Sequence, residues 1–282
     1  MSAYLQHSIN CKGRLLSLEQ PIIMGILNVT PDSFFDGGKY VNSSEALNQV
    51  ESMLEAGADI IDIGGYSSRP GAKDISVDEE LSRTIPLVKT IHEKFPDAIL
   101  SIDSFRSDVA QAAIEAGASI VNDISAGDND PLMLKTVAKL AVPYIIMHKQ
   151  GNPETMQNKP EYDDVVQDVL GYLFKKKKEC LAAGISDIII DPGFGFGKTL
   201  DHNYQLLKHL EHFKIIESPM LIGVSRKSMI NKVLGSQASE ALNGTTVLNT
   251  IALSKGAQIL RVHDVEEAVE CVKLTSKLRS VE

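Results

Sequence analysis

The chain is poor in cysteine, has no C-x-x-C pair, carries no basic excess and contains no apolar run long enough to cross a membrane. Each shortage removes a class of function. The three cysteines, Cys11, Cys180 and Cys271, are far apart and odd in number, so neither a disulfide framework nor a zinc site is expected, and a reducing cytoplasm fits best. Charge is of the wrong sign for a nucleic-acid binder: 28 Lys and Arg against 37 Asp and Glu leave a formal −9. Binding to nucleic acid or to an anionic membrane needs a basic face that displaces counterions, so neither partner is expected. An anionic ligand would have to be held by a local group of Arg and Lys. No apolar run reaches about 18 residues, and the first twenty residues hold no sustained apolar stretch and no small-residue cleavage site, so neither a membrane span nor an export signal is expected. There is no compositional break or Pro/Ser-rich linker either, which leaves one domain over 1–282, with 1–20 open to being an N-terminal extension.

What the chain does contain is a repeat of strand and helix. With 282 residues, 43% of them hydrophobic, it is long enough to bury a large core. Strand-length apolar runs rich in Ile and Val recur eight times, at 22–28, 59–64, 99–103, 119–124, 143–148, 187–191, 220–225 and 258–263. Longer stretches of helical periodicity separate them, such as 44–56, with Ala46, Leu47, Val50, Met53 and Leu54 apolar, and 265–278, with Val265, Ala268, Val269 and Val272. Four junctions from helix to strand share a glycine, Gly57, Gly117, Gly184 and Gly256, as suits a left-handed helix cap ahead of a short turn. Strands covered on both faces by crossover helices read as continuous apolar runs. Roughly 35 residues per unit over eight units predicts an α/β fold of the closed (β/α)8, or TIM, barrel type. The rival is an open doubly wound sheet, which usually carries a glycine fingerprint after its first strand. Here that strand runs into Asn28-Val29-Thr30-Pro31-Asp32-Ser33 with no G-x-G-x-x-G, so the barrel is favoured.

In such a barrel the reactive groups sit at the C-terminal strand ends and in the loops beyond them. The expected ends are polar: Asn28, Asp103, Asn122 and Asp191, then Ser225 running on to Lys227, and Arg261 with His263 in the last strand. One such residue is ordinarily a helix cap or a solvated turn; six strands ending this way argue for a shared cavity. Alternation places Arg261 with His263, Gly223 with Ser225 and Lys227, and Asn122 with Ile124 on common faces. Two chemistries separate. Arg69, Lys227, Arg261 and His263 offer charge and donors to phosphate oxygens, whereas Asp103, Asn122 and Asp191 offer acceptors and an amide to a neutral heterocycle with N–H donors. The glycine-rich loops around 34–38 and 67–73 read equally as lids and as plain turns.

The ordered segments Gly25-Ile26-Leu27-Asn28-Val29-Thr30-Pro31-Asp32-Ser33-Phe34, Asp62-Ile63-Gly64-Gly65 running to Ser68-Arg69-Pro70-Gly71-Ala72, Ser101-Ile102-Asp103-Ser104, Val121-Asn122-Asp123-Ile124, Met147-His148, Asp191-Pro192-Gly193-Phe194-Gly195-Phe196-Gly197-Lys198, Gly223-Val224-Ser225-Arg226-Lys227-Ser228 and Arg261-Val262-His263-Asp264 resemble those of the pterin-binding dihydropteroate synthase family. The resemblance implies a single-domain (β/α)8 barrel, usually a homodimer. It also implies a transferase of folate biosynthesis, a sulfonamide target, that joins 6-hydroxymethyl-7,8-dihydropterin diphosphate to 4-aminobenzoate, giving 7,8-dihydropteroate and diphosphate by an SN1-like displacement. Carried over, Asp103, Asn122, Asp191 and Lys227 would bind the pterin, with Met147, Phe196 and Gly223 around it. Ile124 and Ser225 are expected to line the same pocket. Asn28, Arg69, Arg261 and His263 would hold the diphosphate, with Asn28 a ligand of Mg2+, and Phe34, Ser68, Pro70 and Ser228 would form the aminobenzoate pocket. Catalytic weight is expected on Asn28, Arg69, Lys227, Arg261 and His263.

Two departures from the family pattern stand out. Many members read Gly-Gly-Glu-Ser-Thr-Arg-Pro-Gly in the second loop, whereas this chain has Tyr66 for the Glu and Ser68 for the Thr, which bears on loop packing and sulfonamide affinity. Lys149 likewise stands where Met is common. The competing readings are an aldolase-type Schiff-base lysine at Lys227, a pterin-binding methyltransferase that serves a corrinoid protein, and a non-catalytic pterin-binding barrel. A methyl carrier has no diphosphate to clamp, so the cationic set favours the synthase. Asp62 and Asp123 read as buried partners of the site, and Lys175 to Lys178 as a solvated helix face. His202, His209 and His212 have helical spacing without a metal-ligand pattern.

Overall fold

The computed structural model describes residues 8–29, 35–36, 40–41, 43–67, 74–151 and 160–281. A hairpin of β1 (Ser8–Cys11) and β2 (Arg14–Ser17) precedes β3 (Ile22–Asn28), and a short antiparallel pair, β4 (Phe35–Asp36) and β5 (Tyr40–Val41), follows it. Helix and strand then alternate: α1 (Ser43–Glu55), β6 (Ile60–Gly64), α2 (Val77–Lys94), β7 (Ile99–Asp103), α3 (Ser107–Ala116), β8 (Ile120–Asp123), α4 (Met133–Leu140), β9 (Tyr144–Met147), α5 (Val165–Ala183), β10 (Ile188–Asp191), α6 (Leu200–Lys208), β11 (Leu221–Ile222), α7 (Ser228–Leu234), α8 (Leu242–Lys255), β12 (Ile259–Val262) and α9 (Val265–Ser280). Eight strands pair in parallel in the order β10-β9-β8-β7-β6-β3-β12-β11. A parallel bridge between Ile190 and Met220, with the Ile190 N–H donating to Pro219 O at 2.9 Å, brings the two outer strands together and closes the barrel.

The strand period of two sorts the side chains into layers. Outward residues such as Ile61, Ile63, Leu100, Ile102, Val121, Ile146, Ile190 and Leu260 pack under the helices. Inward residues Ile22, Met24, Ile60, Ile99, Ile120, Ile145, Ile189, Leu221 and Ile259 make a separate apolar cluster at the barrel floor. Two or four positions further along the same strand faces stand Asn28, Asp62, Asp103, Asn122, Met147, Asp191, Gly223 and Arg261. The interior is therefore apolar at one end and mostly polar at the other, with Met147 and Gly223 the exceptions in this set, and that contrast points to where a ligand can bind.

The first residues are part of this floor. Ile9, Cys11 and Leu18 are buried against the inward strand residues. Asn10 N donates to Asp187 Oδ2 at 3.0 Å, Lys12 Nζ to Ile114 O at 2.9 Å and Arg14 to Asp97 O. Residues 8–18 thus plug the barrel. The repeated glycine junctions end their helices as expected, with φ of +97° at Gly184 and +106° at Gly256. Two expectations need correction. The seventh barrel strand is only Leu221–Ile222, because the chain leaves the ladder at Gly223 and turns, with Lys227 N donating to Val224 O at 3.2 Å. The lysine run on α5 is not uniformly solvated: Lys176 is buried against Asp128 and Glu179 at 2.5 and 2.9 Å, and Lys177 Nζ reaches Ile216 O and Glu217 O at 2.5 and 2.9 Å.

Candidate active site

Arg261, on β12, organises the polar mouth. Its Nε donates to Asp62 Oδ2 and its NH2 to Asp103 Oδ2, both at 2.6 Å, and Asn122 Nδ2 donates to the same Asp62 oxygen at 3.0 Å. Asp62, read from the sequence as a buried partner, sits at the centre of this network, and its Oδ1 has no hydrogen-bond partner among the described residues. Burial works against the guanidinium charge, and Asp62 and Asp103 more than offset it, so the Arg261 pKa is raised. Burial also pushes the Asp103 carboxyl up to about 7, with Arg261 pulling it down and Asp62 pushing it up. The two chemistries read separately from the sequence are joined here, since the cation expected on the diphosphate is held by an acceptor expected on the heterocycle.

The opposite wall is built from the loop after β10 and the turn after β11. Lys227 Nζ donates to Phe194 O at 2.6 Å and stands 5.0 Å from the centre of the Phe196 ring. Burial lowers its pKa to about 8, against the pull of Asp191. Asp191 is itself buried, its pKa raised by burial and lowered in turn by Lys227 and by the Gly193 N–H, which donates to Oδ1 at 2.7 Å. Gly223 lies between the two walls: a Cβ there would lie 3.7 Å from Lys227 Nζ and 3.9 Å from Arg261 Cβ, in ordinary contact with both. Met147 lies under the same loop, its Cγ 3.2 Å from where a Gly193 Cβ would be.

Asn28 ends β3 beside this network; a Cβ on Gly64 would stand 3.7 Å from Asn28 Oδ1 and 3.6 Å from Asp103 Cβ. Ser225 Oγ accepts from the His263 backbone N–H at 3.2 Å and lies 3.0 Å from His263 Nδ1, so Ser225 orients the ring rather than facing the pocket alone. Ile124 is buried beyond the end of β8, and exposed Ser228 opens α7, where a short helix was expected. Phe34, Ser68, Arg69 and Pro70 lie outside the described residues. Asp123, the other expected buried partner, accepts from Ser125, Gly127 and Tyr144 at 2.6–2.8 Å and supports the mouth from behind.

Tyr66 meets Phe105 edge-on at 5.0 Å. Arg106 lies over both rings and is itself held by Glu80 at 2.7 Å. Lys149 Nζ donates to Asn129 Oδ1 at 3.1 Å. Lys198, a motif residue to which the sequence assigns no role, is 3% exposed and packed among carbonyls.

Comparison with known proteins places this geometry. Residues 24–263 match the family model of the pterin binding enzymes. A dihydropteroate synthase from Haemophilus influenzae is 49% identical over 263 residues, covering 93% of this chain and 95% of that protein. Among solved structures, the dihydropteroate synthase of Yersinia pestis in complex with a sulfonamide drug superposes with a TM-score of 0.92 at 44% identity, covering 97% of this chain and 100% of that one. The dihydropteroate synthase of Xanthomonas albilineans with 4-aminobenzoic acid superposes at 0.91 and 39%, covering 98% and 99%. The eight-stranded barrel, its polar mouth and these relatives agree: the chain belongs to the pterin-binding enzyme family, among the dihydropteroate synthases.

Proposed function

We propose that the barrel mouth joins 6-hydroxymethyl-7,8-dihydropterin diphosphate to 4-aminobenzoate, releasing diphosphate and 7,8-dihydropteroate. The observation that carries this reading is the Arg261 network, which joins the strand ends expected to hold the anion to those expected to read the ring. Asp191 and Asn122 are suited to the N–H and acceptor edge of the pterin, with Phe196, Met147, Ile124 and Gly223 around its faces. Lys227 bounds the ring pocket from above. Asn28, Arg261 and His263, with Arg69, form the leaving-group clamp, and Ser225 steadies His263. Phe34, Ser68, Pro70 and Ser228 are the residues proposed for the aminobenzoate.

The step is a displacement with dissociative character. The C–O bond to diphosphate breaks and its electron pair leaves with the oxygen, while the reduced pterin ring stabilises the CH2 cation until the arylamine nitrogen bonds to it. The amine proton passes to diphosphate or water, so no strong general base is assigned. Arg261 already commits two of its five N–H groups to Asp62 and Asp103, and the remaining donors suit departing oxygens. One preorganised donor of this kind is worth about 2.7–4 kcal/mol in a dry site.

Mg2+ is proposed with Asn28 Oδ1 as its protein ligand. No group of three or more His, Cys, Asp or Glu among the described residues is placed to hold a metal. A hard cation that takes most of its oxygens from phosphate and water asks for no such group, so the donor set fits. When bound, the ion would neutralise charge on the leaving diphosphate.

Exposed Val247 and Ile251 on α8, and Leu274 and Leu278 on α9, support a homodimer built on these helices. Cys11, Cys180 and Cys271 are buried and unpaired, which fits a reducing cytoplasm, and no described helix is long and apolar enough to cross a membrane. Incubation with both substrates and Mg2+, followed by mass spectrometry, is expected to yield 7,8-dihydropteroate; no product would contradict the proposal.

A further inference from the structure

The loop from Gly193 to Lys198 carries three parts of the proposed pterin pocket: the Gly193 N–H that orients Asp191, the Phe194 carbonyl that holds Lys227, and the Phe196 ring. A loop this rich in glycine does not hold such groups in place through its own side chains. Its carbonyls are gripped instead. Lys198 Nζ lies 2.8 Å from Gly193 O, 3.1 Å from Phe196 O, 3.3 Å from His148 O and 2.9 Å from His148 Nδ1, all acceptors and none a donor when the ring nitrogen is unprotonated. Burial, with the Lys198 charge, pushes His148 down to about 3, so the ring is neutral and Nδ1 accepts. Tyr162 OH donates to Gly197 O at 2.7 Å on the rim of the same loop. The loop lies directly on the backbone after β9, since a Cβ on Gly193 would fall 1.9 Å from His148 O and one on Gly197 2.2 Å from Gln150 O.

We propose that Lys198 is a positioning residue for pterin recognition: its buried Nζ, assisted by the Tyr162 hydroxyl, pins the loop after β10 to the loop after β9 so that Asp191, Phe196 and Lys227 hold their places. Lys198 Nζ bonds loop carbonyls and the His148 ring and is not assigned a catalytic role; burial lowers its pKa to about 7 against the pull of Asp191. Two lysines thus hold the loop from opposite sides, Lys198 through Gly193 O and Phe196 O and Lys227 through the Phe194 O between them. The proposal rests on the reading of this mouth as a pterin site.

Its test uses the full chain and the variants Lys198→Met and Tyr162→Phe. Lys198→Met leaves buried carbonyls without a donor, and its KM for the pterin diphosphate is expected to rise about ten- to a hundredfold while the KM for 4-aminobenzoate changes less than twofold. Tyr162→Phe loses one hydrogen bond without changing shape, and the same KM is expected to rise about threefold. Hydrogen exchange at the amides of 193–196 should quicken in both variants, with the barrel strands unchanged. Wild-type protection of the loop in both variants, or equal rises in both KM values, would overturn the proposal. Should Lys198→Met fail to fold, Tyr162→Phe decides by the same two readouts. If the wild type itself bound no pterin, the assignment of the site would fall, and the exchange comparison would still judge whether the clamp exists.

Discussion

Arg261 is engaged by Asp62 and Asp103 before any ligand arrives, and this sets what its loss would do. Arg261→Ala removes a donor from the leaving group and strands two carboxylates, one of them fully buried. Turnover should fall by about a hundredfold or more, with a lower melting temperature, both read on the purified variant. Asp191→Asn should behave differently. The amide oxygen can still accept from the Gly193 N–H, so the loop survives, but an NH2 now faces the N–H donors of the pterin. Pterin affinity by calorimetry should weaken about ten- to a hundredfold at near wild-type stability. At this scale much was legible in the sequence. Asp103, Asn122, Asp191 and Arg261 announce themselves as polar residues at or near the ends of apolar runs, and Asp62 was legible only as a buried partner. The role of Lys198 was not legible, because a lysine after Gly-Phe-Gly looks like a solvated loop charge until the carbonyls turned towards it are seen. The contact of Ser225 with His263 was not legible either, because it joins residues 38 positions apart.

Elements follow from pattern where pattern is strong. The barrel strands were readable as apolar runs because helices cover their outer faces and other strands their inner ones. β11 fell short of its expected length because Gly223, Val224 and Ser225 are apolar or small enough to continue a strand by composition while their backbone turns away. The β1–β2 hairpin went unread for the opposite reason: four-residue strands with mixed polarity, joined at Lys12-Gly13 rather than at a strong turn pair, carry little signal. Lys12 takes φ +54° and Gly13 φ +91° there. The contribution of residues 8–18 is nevertheless large, since burying Ile9 and Leu18 alone is worth roughly 3–6 kcal/mol. Deleting residues 1–20 should therefore lower the urea midpoint markedly, and an unchanged midpoint would show that the floor closes without them. The loop clamp has its own pH signature. His148 titrates near 6.5 when unfolded and at about 3 in the fold, so its contribution is complete above 6.5 and is lost as pH falls towards 3. Between those limits wild-type stability should fall on acidification with a slope steeper than that of His148→Gln by up to about 1.4 kcal/mol per pH unit. Equal slopes in chemical denaturation would contradict the buried neutral imidazole.

On the scale of the whole molecule, the fold places an apolar floor under a polar mouth, and one arginine, Arg261, bonds Asp62 and Asp103 across it, between the strands proposed for the anion and those proposed for the ring. With an overall formal charge of −9, a phosphate group at the barrel mouth would have to be held by local cationic side chains such as Arg261. The arrangement implies that the two halves of the pterin diphosphate occupy adjoining sites rather than one shared site. Calorimetric titration of inorganic diphosphate with Mg2+, with and without saturating 6-hydroxymethylpterin, tests this most directly. Simultaneous binding is expected, with diphosphate affinity kept or raised by the pterin and reduced by Arg261→Ala. Mutual exclusion of the two ligands, or diphosphate binding indifferent to Arg261, would contradict the account.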